Sequence, residues 1–254
     1  MLKALNFGGA PALVTGGSAG IGKAIAETLA DLGARVIIVA RREEALREVQ
    51  AGIRSRGGQC EMFTADVSRE DDVERLAKWV EETFGAVKAL VNNAGDNFRT
   101  PIAQLSPAKW HELIAVNLDS VFLMCRAFIP LLLKAEQPSI VNVSSSFGIV
   151  GNAETPAYCA AKGAVINLTR QLAIDYGPQG LRVNTLCPGP TLSPRILGYI
   201  EKANGDPRGK ITNVALNRRA ECDEIGDVAA FLASDAASYI HGATIVADGG
   251  QTII

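Results

Sequence analysis

Tyr158 and Lys162 are the side chains best suited to acid–base chemistry here, and three serines, Ser144, Ser145 and Ser146, precede them. A phenol is a poor acid, with a pKa near ~10 in water. A lysine ammonium close by favours the phenolate and pulls that value down toward neutrality. The four-residue spacing puts Tyr158 and Lys162 on one face of a helix. Ala160, Ala161 and Gly163 are small and let another molecule approach closely. A phenol tuned in this way gives a proton to a carbonyl oxygen or takes one from an alcohol. The same spacing also describes a half-buried tyrosine beside a surface lysine, so the surrounding elements must decide.

The apolar run over 12–15 reads as a buried strand. It opens into Gly16, Gly17, Ser18, Ala19, Gly20, Ile21 and Gly22, and a helical pattern over 23–32 closes at Gly33. Strand, glycine turn and helix start together cradle phosphate. Backbone N–H groups and the positive helix end point at the anion, and glycines allow close approach. The spacing is GxxxGxG, not the GxGxxG of the common dinucleotide fingerprint; a plain glycine-rich turn is the alternative. A second strand over 35–40 ends at Ala40 and is followed by Arg41 and Arg42. An acid ~20 residues past the glycines holds the ribose 2′-hydroxyl of NAD. An arginine there suits a 2′-phosphate. The cofactor reads as NADP(H), with NAD the alternative and a solvated charge run the bland reading.

Further strands are expected over 60–64, 89–91, 139–143, 181–186 and 243–247, and helices over 45–56, 69–84, 107–133, 155–176 and 223–234. Such alternation implies α/β architecture: a mostly parallel seven-stranded sheet, doubly wound, in a three-layer sandwich. A chain of 254 residues fits a single domain over 1–254. Pro130 is expected to kink or break the long helix near its end. Asn117, in the middle of that helix, reads as a solvent-facing residue. Residues 194–216, with Gly198, Gly205, Pro207 and Gly209, read as a mobile substrate lid.

Composition excludes several classes. A net charge of -2 leaves no footprint for nucleic acid or an anionic membrane. Five scattered cysteines without CxxC argue against a disulfide framework and against a zinc site, so no metal is expected. No signal peptide is read ahead of residue 10, and no uncharged run is long enough to span a bilayer. A cytoplasmic enzyme is the expectation.

The motifs Thr15 to Gly22, Asp66-Val67, Asn92-Asn93-Ala94-Gly95, Ser145 with Tyr158 and Lys162, and Cys187-Pro188-Gly189 occur in that order. Together they resemble the short-chain dehydrogenase/reductase family, including members like 3-oxoacyl-(acyl-carrier-protein) reductase, over essentially the whole chain. The resemblance implies a Rossmann fold and hydride transfer between NADP(H) and a small carbonyl/secondary-alcohol pair. It implies Tyr158 as general acid–base, with Lys162 tuning it and holding the nicotinamide ribose. The residues alone do not choose among the serines. The family spacing, thirteen before the tyrosine, selects Ser145, with Ser146 bordering the pocket. Asn117 is implied to kink its helix and to hold a water against Lys162. Asn93, Ala94 and Gly95 are implied on the adenine side, and Asp66 and Val67 beside the cofactor. Pro188 and Gly189 are implied at the nicotinamide, with Ser193 where a threonine is usual. A homotetramer is implied to bury the apolar tail Ile253-Ile254.

Two other readings stay open. A 3-oxoacyl-(acyl-carrier-protein) reductase would dock its acidic carrier on arginines, and the matching positions here are Glu136 and Gln179. A non-catalytic NADPH-binding regulator on the same fold would lack part of the Asn117, Ser145, Tyr158 and Lys162 set, and this chain has all four. Free small carbonyls or alcohols are therefore the preferred substrates, without a named compound.

Overall fold

The computed structural model describes residues 2–202 and 205–254; Ala203 and Asn204, inside the expected lid, lie outside the described residues. Seven strands form one sheet in the order β3-β2-β1-β4-β5-β6-β7. They are β1 Pro11–Thr15, β2 Arg35–Ala40, β3 Gln59–Thr64, β4 Ala89–Asn92, β5 Ser139–Val143, β6 Arg182–Pro188 and β7 Thr244–Ala247. Every pairing is parallel, so the sheet is wholly rather than mostly parallel. Parallel strands bury both faces, which is why β2 and β5 read as continuous apolar runs instead of alternating ones.

The pleat sends neighbouring residues to opposite cores. Val14, Val36, Ile38 and Val141 face a core shared with α2 Gly20–Asp31, α3 Glu43–Ser55 and α9 Cys222–Ala233. Leu13, Ile37, Val39 and Ile140 face the other, shared with α4 Glu70–Phe84, α6 Ser120–Leu132 and α7 Pro156–Tyr176. A short α1, Leu2–Leu5, precedes β1, α5 spans Pro107–Ile114, and α8 spans Pro194–Lys202. Gly226 brings α9 close to α2: a Cβ there would lie 3.1 Å from the Ala24 carbonyl.

The sheet order reverses between β1 and β4, and a crevice opens outside the carboxyl ends of such strands at that point. The turns after β1, β4, β5 and β6 all end there.

The helix expected over 107–133 is interrupted, but not at Pro130. α6 runs through Pro130 to Leu132, where few backbone bonds remain to be lost. The interruption is a π turn at Ala115–Asp119, centred on Asn117. Such single-turn bulges often occur at functional sites. By length and composition Pro107–Leu132 is apolar enough to cross a membrane. In the fold its Leu113, Met124, Phe128 and Leu132 are enclosed in the core.

Candidate active site

The cradle begins where β1 ends. Gly16 N–H and Gly17 N–H donate to the Val39 carbonyl at 2.8 and 3.3 Å, folding the turn back over β2. Gly16 has φ +67°, a conformation glycine adopts without steric cost. At Gly22 a Cβ would lie 2.3 Å from Gly16 O and 2.4 Å from Asn93 Nδ2, so only glycine fits. α2 then starts at Gly20. Its cap residue Ala19 gives no side-chain cap bond, and its first turn carries no acid. The helix N–H groups therefore keep their capacity for an anion. Thr15 Oγ1 accepts from Asn93 N–H and Ala94 N–H, both at 3.0 Å, which ties the glycine turn to the turn after β4. A dinucleotide fits a cradle of this build.

Tyr158 and Lys162 lie one turn apart on α7, and Ser145 follows β5. Lys162 is 3% exposed, and its Nζ donates to Val143 O at 3.0 Å. Ser144 Oγ donates to Lys162 O at 2.8 Å, fastening the serine turn to α7. Gly148 allows that approach, since a Cβ there would lie 2.8 Å from the Lys162 carbonyl oxygen.

Burial dominates the electrostatics. It raises the Tyr158 phenol above its usual value, while the Ser145 hydroxyl and the Arg195 guanidinium pull the other way. Burial also lowers Lys162, to about 8, and Arg195 pushes in the same direction. The expectation that Lys162 alone would bring the phenol toward neutrality therefore needs correction. The lysine Nζ lies 5.7 Å from the tyrosine ring centre and spends a proton on the Val143 carbonyl. Burial is the largest influence on both groups.

Asn117 is fully buried rather than solvent-facing, and the π turn around it agrees with the kink that the family resemblance implies. Its Nδ2 donates to Asp96 O at 2.7 Å and Leu113 O at 2.9 Å, and its Oδ1 accepts from Asp96 N–H at 3.2 Å. It does not line the cleft but stands behind Gly95. A Cβ on Gly95 would lie 2.8 Å from Asn117 Oδ1 and 3.4 Å from Lys162 Nζ. The two side chains thus approach each other with only a glycine between them.

Ser145, Tyr158 and Lys162 border one cleft of about 480 Å³. Its walls include Gly16, Ser18, Ala19, Gly20, Ile21 and Gly22 from the first turn, and Asn93, Ala94 and Gly95 from the second. They also include Ser145, Tyr158, Lys162, Pro188, Gly189 and Ser193, and, just past the ends of β2 and β3, Arg41, Arg42, Asp66 and Val67. There β2 finishes in Ala40, whose side chain has no oxygen to offer and whose carbonyl already accepts from Ala65 N–H at 3.1 Å. The exposed Arg41 Nη1 lies 4.0 Å from Asp66 Oδ2. Asp66 is itself held by Ser68, whose N–H and Oγ donate to Oδ1 at 3.0 and 2.6 Å. Ser146 is not on the wall; it is buried, and its Oγ donates to Gln251 Oε1 at 2.8 Å.

Sequence reasoning missed Asp96 and Arg195, which also line the cleft. Arg195 Nη2 donates to Gly95 O at 3.0 Å and pairs with Asp96 Oδ1 at 3.2 Å. No local pattern announces a contact between residues a hundred positions apart.

The chain matches the family model described as enoyl-(acyl carrier protein) reductase over residues 16–252. It is 36% identical over 245 residues to 2-(S)-hydroxypropyl-CoM dehydrogenase 3 of Xanthobacter autotrophicus, covering 95% of this chain and 96% of that one. It is 39% identical over 247 residues to D-threitol dehydrogenase of Mycolicibacterium smegmatis, covering 96% and 94%. The crystal structure of a short-chain type dehydrogenase/reductase from Mycobacterium marinum superposes with a TM-score of 0.91 at 28% identity, covering 100% and 99%.

Proposed function

The chain belongs to the short-chain dehydrogenase/reductase family, and from that premise we propose an NADP(H)-dependent enzyme in which Tyr158 is the general acid–base. Relatives include dehydrogenases named for alcohols, among them meso-2,3-butanediol dehydrogenase of Serratia marcescens, and this chain is an oxidoreductase of a secondary alcohol/carbonyl pair. The observation that carries the finer reading is one cleft lined both by the phosphate cradle and by Ser145, Tyr158 and Lys162.

When bound, the nicotinamide supplies or accepts the hydride; the protein contributes position and charge. In reduction the Tyr158 hydroxyl gives its proton to the carbonyl oxygen, and in oxidation the phenolate takes it back. Ser145 Oγ donates a second hydrogen bond to that oxygen and fixes its place. Lys162 holds the nicotinamide ribose hydroxyls and supplies the nearby positive charge. The approach of Lys162 Nζ and Asn117 Oδ1 across Gly95 supports a role for Asn117 in relaying the proton beyond Lys162. Support for NADP over NAD is the Ala40-Arg41 pair at the end of β2.

The same proposal includes a substrate lid at about 194–216 in a single domain. It is supported by Arg195 and by the exposed Leu197 and Tyr199 on α8. A homotetramer is supported by the apolar Val246, Ile253 and Ile254, which stay exposed at the end of the chain. A cytoplasmic setting is supported by five free thiols.

A carrier-linked acyl substrate is the second reading, favoured by the description of the matched family. Glu136 and Gln179 are both exposed, and neither offers positive charge to an acidic carrier. Free small substrates fit better. The experiment is a panel of secondary alcohols, ketones and one carrier-linked 3-oxoacyl thioester, each run with both cofactors. Turnover of free substrates is expected, with no gain in kcat/KM from the carrier. A large gain from the carrier would overturn the preference.

A further inference from the structure

Ser146 lies next to Ser145, yet its hydroxyl points away from the cleft and donates to Gln251 Oε1 at 2.8 Å. Both side chains are buried, at 1% and 9% exposure. The acceptor comes from a turn that is itself tightly built. Asp248 Oδ1 accepts from Gly250 N–H at 2.8 Å and Oδ2 from Thr252 N–H at 2.7 Å, with Gln251 N–H donating to Asp248 O at 3.2 Å. That turn touches two further parts of the site. Gly189 N–H donates to Ala247 O at 3.0 Å, and a Cβ on Gly189 would lie 2.6 Å from Asp248 Cα. On its other side Leu216 N–H donates to Gly249 O at 2.9 Å, and a Cβ on Gly250 would lie 2.7 Å from Ala215 Cβ.

We propose that Gln251 is a positioning residue for Ser145, acting through Ser146. A serine hydroxyl that orients a reacting oxygen must be held to within a fraction of an ångström. Ser145 Oγ accepts from Phe147 N–H at 3.1 Å and hydrogen-bonds the Tyr158 phenol, so its aim depends on how its own backbone is held. The Ser146–Gln251 bond fixes the next residue, and the Asp248 turn fixes Gln251. Ala215 and Leu216 pack on the same turn from its other side and help to hold it.

The inference rests on the reading of Ser145 as a group that binds the reacting oxygen, so the two are tested separately. Hydride transfer is followed in single turnovers by the absorbance of reduced nicotinamide, with any substrate the wild type accepts. Gln251→Met keeps the side-chain length and removes the acceptor. It is expected to slow transfer about tenfold or more, toward the ~10²-fold that a ~1 Å misplacement costs. The dissociation constant for NADPH should stay within about twofold, and Gln251→Glu, which keeps an acceptor, should restore most of the rate. The deciding comparison uses Ser145→Ala as background: there Gln251→Met should slow transfer no further. Equal slowing in both backgrounds, or none in the first, would overturn the proposal. If Gln251→Met does not fold, Ser146→Ala takes its place with the same expectations. A wild type without turnover on any substrate would overturn the underlying reading as well.

Discussion

The Arg195 guanidinium meets the Asp96 carboxylate at 3.2 Å, joining the segment after β6 to the turn after β4. The same segment rests on the glycine turn, where a Cβ on Gly20 would lie 3.2 Å from Ser193 Cβ and 3.4 Å from Pro194 Cδ. It therefore bridges the two turns that flank the cleft. Both partners are about half exposed, so the pair is worth only about 0.2–1 kcal/mol. Arg195→Gln is expected to speed NADPH dissociation by up to about fivefold. A stopped-flow chase measures this, and the effect should shrink at high salt. An unchanged dissociation rate would remove the bridge from the path of the cofactor.

Cofactor choice should follow the end of β2. Ala40 cannot accept a ribose hydroxyl, whereas Arg41 can pair a 2′-phosphate through charge-assisted bonds worth roughly 1.5–3 kcal/mol each. Arg41 already has a partner in Asp66 at 4.0 Å, which offsets part of that gain. NADPH should bind at least about tenfold more tightly than NADH, or ~1.4 kcal/mol. Ala40→Asp combined with Arg41→Ile should reverse the order. Fluorescence titration decides it, and equal dissociation constants in the wild type would contradict the assignment.

Lys162 makes stability depend on pH. Burial lowers its pKa from 10.5 to about 8, so the unfolded chain binds the proton more readily. The folded state carries the cost of a buried ammonium below about pH 8, and that cost is relieved as pH rises toward 10.5. Between pH 7 and pH 9.5 the wild type should therefore gain about 2 kcal/mol relative to Lys162→Met. Urea melts of both proteins at the two pH values measure it. A difference that stays constant with pH would mean that the ammonium is better solvated than its burial implies.

Much of the site was legible in the chain because the chemistry constrains short segments. The glycine turn, the pair Tyr158 and Lys162, and the turn at Asn93, Ala94 and Gly95 each show their spacing locally, and the structure brings them to one cleft. The parallel sheet was equally plain, since strand and helix alternate throughout. What escaped depends on distance or burial. The bond between Ser146 and Gln251 spans 105 positions, and that between Arg195 and Gly95 spans 100. No local pattern encodes either. Tyr158 shows a related limit: pairwise spacing predicts attraction between charges, but burial, the largest influence on its phenol, is set by everything packed around it. A polar residue inside a helix usually faces water, but at Asn117, where the family resemblance implies a kink, a π turn aims the side chain inward to Asp96.

The central claim is that Tyr158 is the proton donor, and Tyr158→Phe tests it most directly. The substitution removes one oxygen and leaves the ring on α7, so packing and the cradle should survive. NADPH binding, measured by fluorescence quenching, should stay within about twofold of the wild type. Turnover of any accepted ketone should fall by about 10²–10⁴-fold, the contribution expected of general acid–base catalysis. Ser145→Ala should lower the rate with affinity nearly intact, whereas Lys162→Met should lower both. Retention of wild-type turnover by Tyr158→Phe, with binding intact, would contradict the account.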